Sequence, residues 1–105
     1  MSININSKRD SENEFWEVFV SGELDVSTAD EFKEYLHKLI DQEVLNVKFN
    51  LEGLDYIDST GLGVMIGILK RIKVENKEIY IISPKENVKK IFSITGLDKI
   101  FKMEE

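Results

Sequence analysis

The densest chemistry in the sequence lies in Tyr56-Ile57-Asp58-Ser59-Thr60-Gly61-Leu62-Gly63-Val64. Here a carboxylate, two hydroxyls and two glycines stand between an apolar strand end and an apolar segment of helical period. Hydroxyls at a helix start meet free backbone N–H donors and the positive end of the helix dipole. Such a place stabilises a phosphate, whether it arrives on a ligand or is attached to the hydroxyl itself.

Several chemistries can be weighed against the spacing. Gly61, Gly63 and Gly67 follow a strand and open a helix, as a dinucleotide fingerprint does, but the third glycine falls one position late. The strand that should end in a ribose-binding acid, residues 79–82, is followed by Ser83 and Pro84. A P-loop fails because no Gly-Lys-Ser/Thr occurs. A hydrolase elbow needs glycine two before the nucleophile, where Ile57 stands. The lone histidine, His37, falls in another helix and is predicted to face solvent, which leaves Ser59 without a base. Asp25 and Asp58 with neighbouring hydroxyls are a weak cation signal, since each is better read as a cap or turn residue. No metal and no cofactor is expected.

Phosphorylation of Ser59 asks less of the chain. A kinase brings its own base and metal, so the acceptor protein has only to offer an accessible hydroxyl in a favourable field. Free N–H groups would accommodate part of the added charge, and Asp58 and Asp25 would oppose it. The residues alone leave two readings of Ser59 open, a structural helix cap and a phosphorylation switch.

The elements that position this stretch follow from the hydrophobic pattern. The chain has 105 residues, 42% of them hydrophobic, which suits one domain over residues 1–105 with a single core. The net charge of −6 argues against nucleic acid as the main partner. Without cysteine there is no disulfide framework and no thiol nucleophile. The start of the chain lacks the pattern of a signal peptide, and no apolar run is long enough to span a bilayer, so a cytoplasmic protein without membrane contact is expected. Residues 3–8 and 15–20 alternate and are predicted to pair as a hairpin, with Trp16, Val18 and Val20 on one face. Gly22 to Asp25 should then lead out of the sheet. Thr28-Ala29-Asp30-Glu31 has the spacing of a capping box ahead of a helix carrying Phe32, Leu36, Leu39 and Ile40. Residues 44–51 form a strand, and the unbroken apolar run 79–82 reads as a fully buried one. Ser83-Pro84 should start a last helix that Gly96 ends, before a short final strand. The order β-β-α-β-α-β-α-β makes an α/β domain: a mixed, mostly parallel sheet with an antiparallel opening hairpin, packed against helices.

Over residues 60–74 a helical period places Leu62, Met65, Ile66, Leu69 and Ile72 on the core face. Thr60, Gly63, Val64, Gly67, Ile68 and Arg71 are predicted to face outward or sideways. Each glycine there costs about 1 kcal/mol against alanine in a helix interior. Small and apolar residues beside Ser59 suit close approach by another protein.

At these residues the sequence resembles the anti-sigma factor antagonists of bacterial sporulation and stress pathways, which have the STAS domain. Asp58-Ser59-Thr60-Gly61-Leu62-Gly63-Val64 is similar to that family's signature around its phosphorylated serine. Gly22-Glu23-Leu24-Asp25 and Phe92-Ser93-Ile94-Thr95-Gly96-Leu97 are similar to two further signatures. The resemblance covers essentially the whole chain. It implies that Ser59 is the phosphoacceptor and that Asp25 and Asp58 lie near the partner surface; with the outward face of the helix, the expected partner contacts are Asp25, Asp58, Thr60, Gly61, Gly63, Val64, Gly67, Ile68 and Arg71. It also implies a monomer that binds an anti-sigma factor with serine kinase activity, and a PP2C-type phosphatase that restores the bound form. The alternative is a STAS module that senses a small ligand or nucleotide through the same helix start.

Overall fold

The computed structural model describes residues 2–104, so Met1 and Glu105 of the expected 1–105 domain lie outside the described residues. The chain runs β1 (Ile3–Asp10), β2 (Phe15–Leu24), α1 (Ala29–Gln42), β3 (Asn46–Asn50), β4 (Leu54–Ile57), α2 (Ser59–Lys73), β5 (Ile79–Ile82), α3 (Glu86–Ile94), a single 3-10 turn (Leu97–Lys99) and β6 (Lys102–Glu104). The sheet order is β1-β2-β3-β5-β6, with β4 paired to β2. The β1–β2 pair is antiparallel and every other pair is parallel. Each parallel crossover carries a helix, and right-handed crossovers advancing in one direction stack all three helices on the same side. Burial agrees. Trp16, Val18, Val20, Val47, Phe49, Ile79 and Ile81 are buried, whereas Glu17, Phe19, Lys48, Asn50, Tyr80 and Ile82, which alternate with them, are half-buried.

That one-sidedness corrects the expectation for residues 79–82. The run is apolar throughout, yet only Ile79 and Ile81 enter the core. Tyr80 lies on the uncovered face, where the Lys48 ammonium sits 4.2 Å from the centre of the Phe15 ring and 5.7 Å from that of Tyr80.

Two strands differ from the sequence reading. β2 does not stop at Val20 but continues through Gly22 to Leu24. Gly22 has φ 93, and a Cβ there would collide with the carbonyl oxygen of Ser2, so only glycine carries the strand past this point. The register shifts between Gly22 and Glu23, a bulge that re-aims the strand. From Gly22 onward β2 pairs with β4, which was expected only as a lead into the Ser59 stretch. β3 and β4 thus follow successive halves of one neighbour.

Two helix starts also differ. α3 begins at Glu86, two residues beyond Pro84. Lys85 is ion-paired to Asp55, and Asn87 Nδ2 donates to the Asp55 carbonyl at 2.8 Å, so the first turn is fixed by β4. The capping box at Thr28 does not form, because the Thr28 hydroxyl is turned inward. Gly96 ends α3 as expected, with φ 75.

Candidate functional site

α1 and α2 both start at the carboxyl ends of their parallel strands, side by side. The link is direct: Asp58 N–H donates to the Leu24 carbonyl at 3.1 Å, joining the residue before α2 to the last residue of β2. Gly61 lets α2 come this close. A Cβ on it would stand 2.5 Å from Leu24 Cγ. Gly61 is therefore buried and serves packing, which removes it from the expected partner surface.

Asp58 is the N-cap of α2. Its backbone is extended, and its Oδ1 accepts from Thr60 N at 2.9 Å and from Gly61 N at 3.1 Å. Leu62 N–H closes the first helical bond onto the Asp58 carbonyl at 3.0 Å. The free donors expected at this helix start are thus mostly filled by Asp58 itself. Ser59 occupies the first helical position and is exposed, and its hydroxyl and its N–H have no hydrogen-bond partner among the described residues. The structural-cap reading of Ser59 is corrected: the neighbouring carboxylate does the capping.

Asp25, expected both as a turn residue and as a partner contact, lies one residue beyond Leu24 and is buried. It organises its own turn. Its Oδ1 accepts from Ser27 N at 2.9 Å and from Ser27 Oγ at 2.6 Å. Its N–H donates to Thr28 Oγ1 at 3.0 Å, and that hydroxyl donates to the Glu23 carbonyl at 2.9 Å. The Ser27 hydroxyl bond, with the two backbone N–H groups of the turn, holds the Asp25 carboxyl below the usual aspartate range against the opposing effect of desolvation. Val26, at the tip of this turn, is 76% exposed. Nothing in hydrophobic periodicity marks it, and the only signal was an apolar residue in an otherwise polar turn.

The outer side of α2 separates the expected surface into parts. Thr60, Gly63 and Gly67 face α1 across an open groove of about 460 Å³, whose other wall carries Asp30, Lys33 and His37. Val64 also lines it and is half-buried. A Cβ on Gly63 or on Gly67 would meet nothing within 4 Å, so no contact among the described residues requires glycine at either position. Ile68 is fully buried, which contradicts its place on the expected surface, and Ile66 is only half-buried where a core residue was expected. The inward stripe of Gly61, Leu62, Met65, Ile68, Leu69 and Ile72 is rotated toward α1, because α2 packs on that helix as well as on the sheet.

Arg71 closes the far end of the groove. It is half-buried, donates to His37 Nδ1 at 2.8 Å, and pairs with Asp41. A guanidinium only donates, so this ring nitrogen is the acceptor. His37 therefore faces α2 rather than solvent, at the opposite end of α2 from Ser59. The α1 wall of the groove was not legible beforehand, because it exists only where two helices distant in sequence meet.

Comparison with known proteins adds to this geometry. The family model for the STAS domain matches residues 8–105. The chain is 37% identical over 103 residues to the anti-sigma-B factor antagonist of Staphylococcus aureus, covering 98% of this chain and 95% of that protein. The fold superimposes on the unphosphorylated form of the anti-sigma factor antagonist SpoIIAA with a TM-score of 0.81 at 21% identity, covering 97% of this chain and 89% of that one. It superimposes on the phosphorylated form of the Bacillus cell fate determinant SpoIIAA with a TM-score of 0.72 at 19% identity, covering 97% and 92%.

Proposed function

The chain belongs to the STAS domain family, and we propose that it is a non-enzymatic anti-sigma factor antagonist switched by phosphorylation of Ser59. The observation that carries the reading is the state of Ser59: an exposed, unpartnered hydroxyl at the first position of α2, beside a groove floored by two glycines that the fold does not require. The near-full-length relative named an anti-sigma-B factor antagonist supports the class of function. A fold relative solved in both phosphorylated and unphosphorylated forms supports the chemistry.

Unmodified, the chain binds an anti-sigma factor that is also a serine kinase, and the sigma factor is released. The kinase transfers the γ-phosphoryl group of ATP to Ser59 Oγ. The Oγ–P bond forms, the P–O bond to ADP breaks, and the hydroxyl proton passes to the kinase's base. The added charge of about −1.5 to −2 then faces the interface and ends the complex. Hydrolysis of the phosphoserine by a PP2C-type phosphatase restores the binding form. Asp58, Thr60, Gly63, Val64 and Gly67 form the reading surface, Asp25 shapes the adjoining turn, and Arg71 fixes the helix pair from the far end. The protein acts as a cytoplasmic monomer, and among the described residues no helix is long and apolar enough to cross a membrane.

Incubation with the cognate anti-sigma kinase and ATP, followed by phosphopeptide mapping, tests the assignment. All label is expected on Ser59 and none on a Ser59→Ala variant. Undiminished labelling of Ser59→Ala would sink it.

A further inference from the structure

Among the described residues, α3 alone of the three α-helices contributes nothing to the groove beside Ser59. Its inward side carries Val88 and Phe92. Phe92 meets Phe101 edge to face, with ring centres 5.5 Å apart, which locks the 3-10 turn after α3 onto the helix. The outward side is apolar at its centre and basic around it. Lys90 and Ile94 stand one helical turn apart, and Ile94 is 73% exposed. Ile100, at the end of the locked turn, is 43% exposed. From residue 85 to residue 102 there are five lysines and only two acids, Glu86 and Asp98, in a chain of net charge −6. The acidity of the molecule therefore lies elsewhere. Lys85 is taken by Asp55, whereas Lys90 and Lys99 are exposed and have no ion pair among the described residues. Lys90 and Ser93 also border an open recess of about 420 Å³. Exposed isoleucines beside unpaired lysines are complementary to an acidic protein surface with an apolar centre.

The place of this surface in the fold narrows the partner. α3 is tied to β4, the strand that delivers Ser59, through the Lys85–Asp55 ion pair and through Asn87 Nδ2 on the Asp55 carbonyl at 2.8 Å. A protein that grips α3 is therefore held at a fixed offset from the acceptor. Phosphorylation ends the kinase complex, but the enzyme that removes the phosphate has to bind the chain in that state. Its affinity has to come from a surface that the added charge leaves unchanged.

We propose that Lys90, Ile94, Lys99 and Ile100 form a second docking surface, filled by an acidic, apolar-centred patch of the phosphatase that acts on Ser59. The inference rests on the assignment of Ser59 and deepens it: kinase and phosphatase share the acceptor but grip different helices.

The test uses the full chain with phosphoserine installed at position 59 during translation, and follows phosphate release by the cognate PP2C-type phosphatase. Lys90→Glu and Ile94→Asp each place the partner's own sign of charge on the patch. In each, kcat/KM is expected to fall about tenfold, through KM and with kcat unchanged. Both side chains are exposed, so the variants should fold; Ile94→Gln replaces Ile94→Asp should that one melt early. Labelling of the same variants, carrying serine at position 59, by the anti-sigma kinase is expected at the wild-type rate. Wild-type KM for the phosphatase in both variants would overturn the proposal. An equal loss in kinase labelling would overturn it as well, since the surface would then be common to both enzymes. Failure of the Ser59 assignment has a different signature, a wild-type chain that the kinase does not label at Ser59 and whose installed phosphoserine the phosphatase leaves intact, and it would overturn both readings.

Discussion

Two helix starts in this molecule carry nearly the same residues and use them in opposite ways. Asp25-Val26-Ser27-Thr28 leads into α1, and Asp58-Ser59-Thr60 leads into α2. Before α1, every polar side chain is tied inward: Ser27 donates to Asp25, and Thr28 Oγ1 bridges Asp25 N–H and the Glu23 carbonyl while buried. Before α2, one carboxylate does the capping and the adjacent hydroxyl is left over. The same set of acid and hydroxyls is structure in one place and candidate chemistry in the other. What separates them is whether the hydroxyl's hydrogen-bonding capacity is already filled.

The largest expected break of this contrast is Thr28→Val. It strands a buried N–H and a part-buried carbonyl, and chemical denaturation should show a loss of about 1–3 kcal/mol. The Asp25 turn adds a pH signature. Its folded carboxyl titrates below its unfolded value, so its stabilisation is complete above the unfolded aspartate range, about 3.9, and disappears as pH falls through the folded value. Acid unfolding should therefore be less steep in Asp25→Asn than in wild type as pH falls below the unfolded aspartate range, about 3.9. At the second start, Asp58→Ala should cost about 1 kcal/mol of stability through loss of the cap, measured the same way. Gly63→Ala should act in the other direction. Its Cβ enters open space, so the isolated domain should gain up to about 1 kcal/mol. Titration calorimetry with the anti-sigma partner should show weaker binding of that variant, and unchanged affinity would place the interface elsewhere. The smallest effect sharpens the comparison most: Ser59→Ala should change stability by no more than about 0.5 kcal/mol, because its hydroxyl holds nothing within the fold.

The sequence carried the class of fold and the helix start at Ser59, for physical reasons that also mark its limits. Alternation in β2 and the α1 pattern of Phe32, Leu36, Leu39 and Ile40 report one buried face each, and these faces are where expected. Periodicity is silent on what lies across from a face. Ile66 and Ile68 changed places because α2 has two neighbours, and a wheel drawn for one neighbour centres the stripe wrongly. Gly61, Gly63 and Gly67 look alike in the sequence. Only coordinates separate the glycine that admits Leu24 from the two that admit nothing of this chain. His37 reads as solvent-facing from its own helix, because the partner that turns it inward, Arg71, lies 34 residues away. The capping box at Thr28 had correct spacing, but a hydroxyl in a tight Asp25 turn found better partners behind it than ahead.

The break in β2 at Gly22 has a consequence for the length of the chain before α2. Gly22 N–H donates to the Gly53 carbonyl, and two residues further along the Leu24 carbonyl accepts from Asp58 N–H. Both ends of the segment from Gly53 to Asp58 are therefore pinned to the same strand, and the one extra residue of β4, Asp55, is already taken up at the bulge. Such a span has no slack. An inserted or deleted residue could not be taken up as a surface loop. It would slide the helix start along β2 or turn Ser59 to the other side, so among working relatives the count of residues from that glycine to the acceptor should be invariant even where the side chains between them differ.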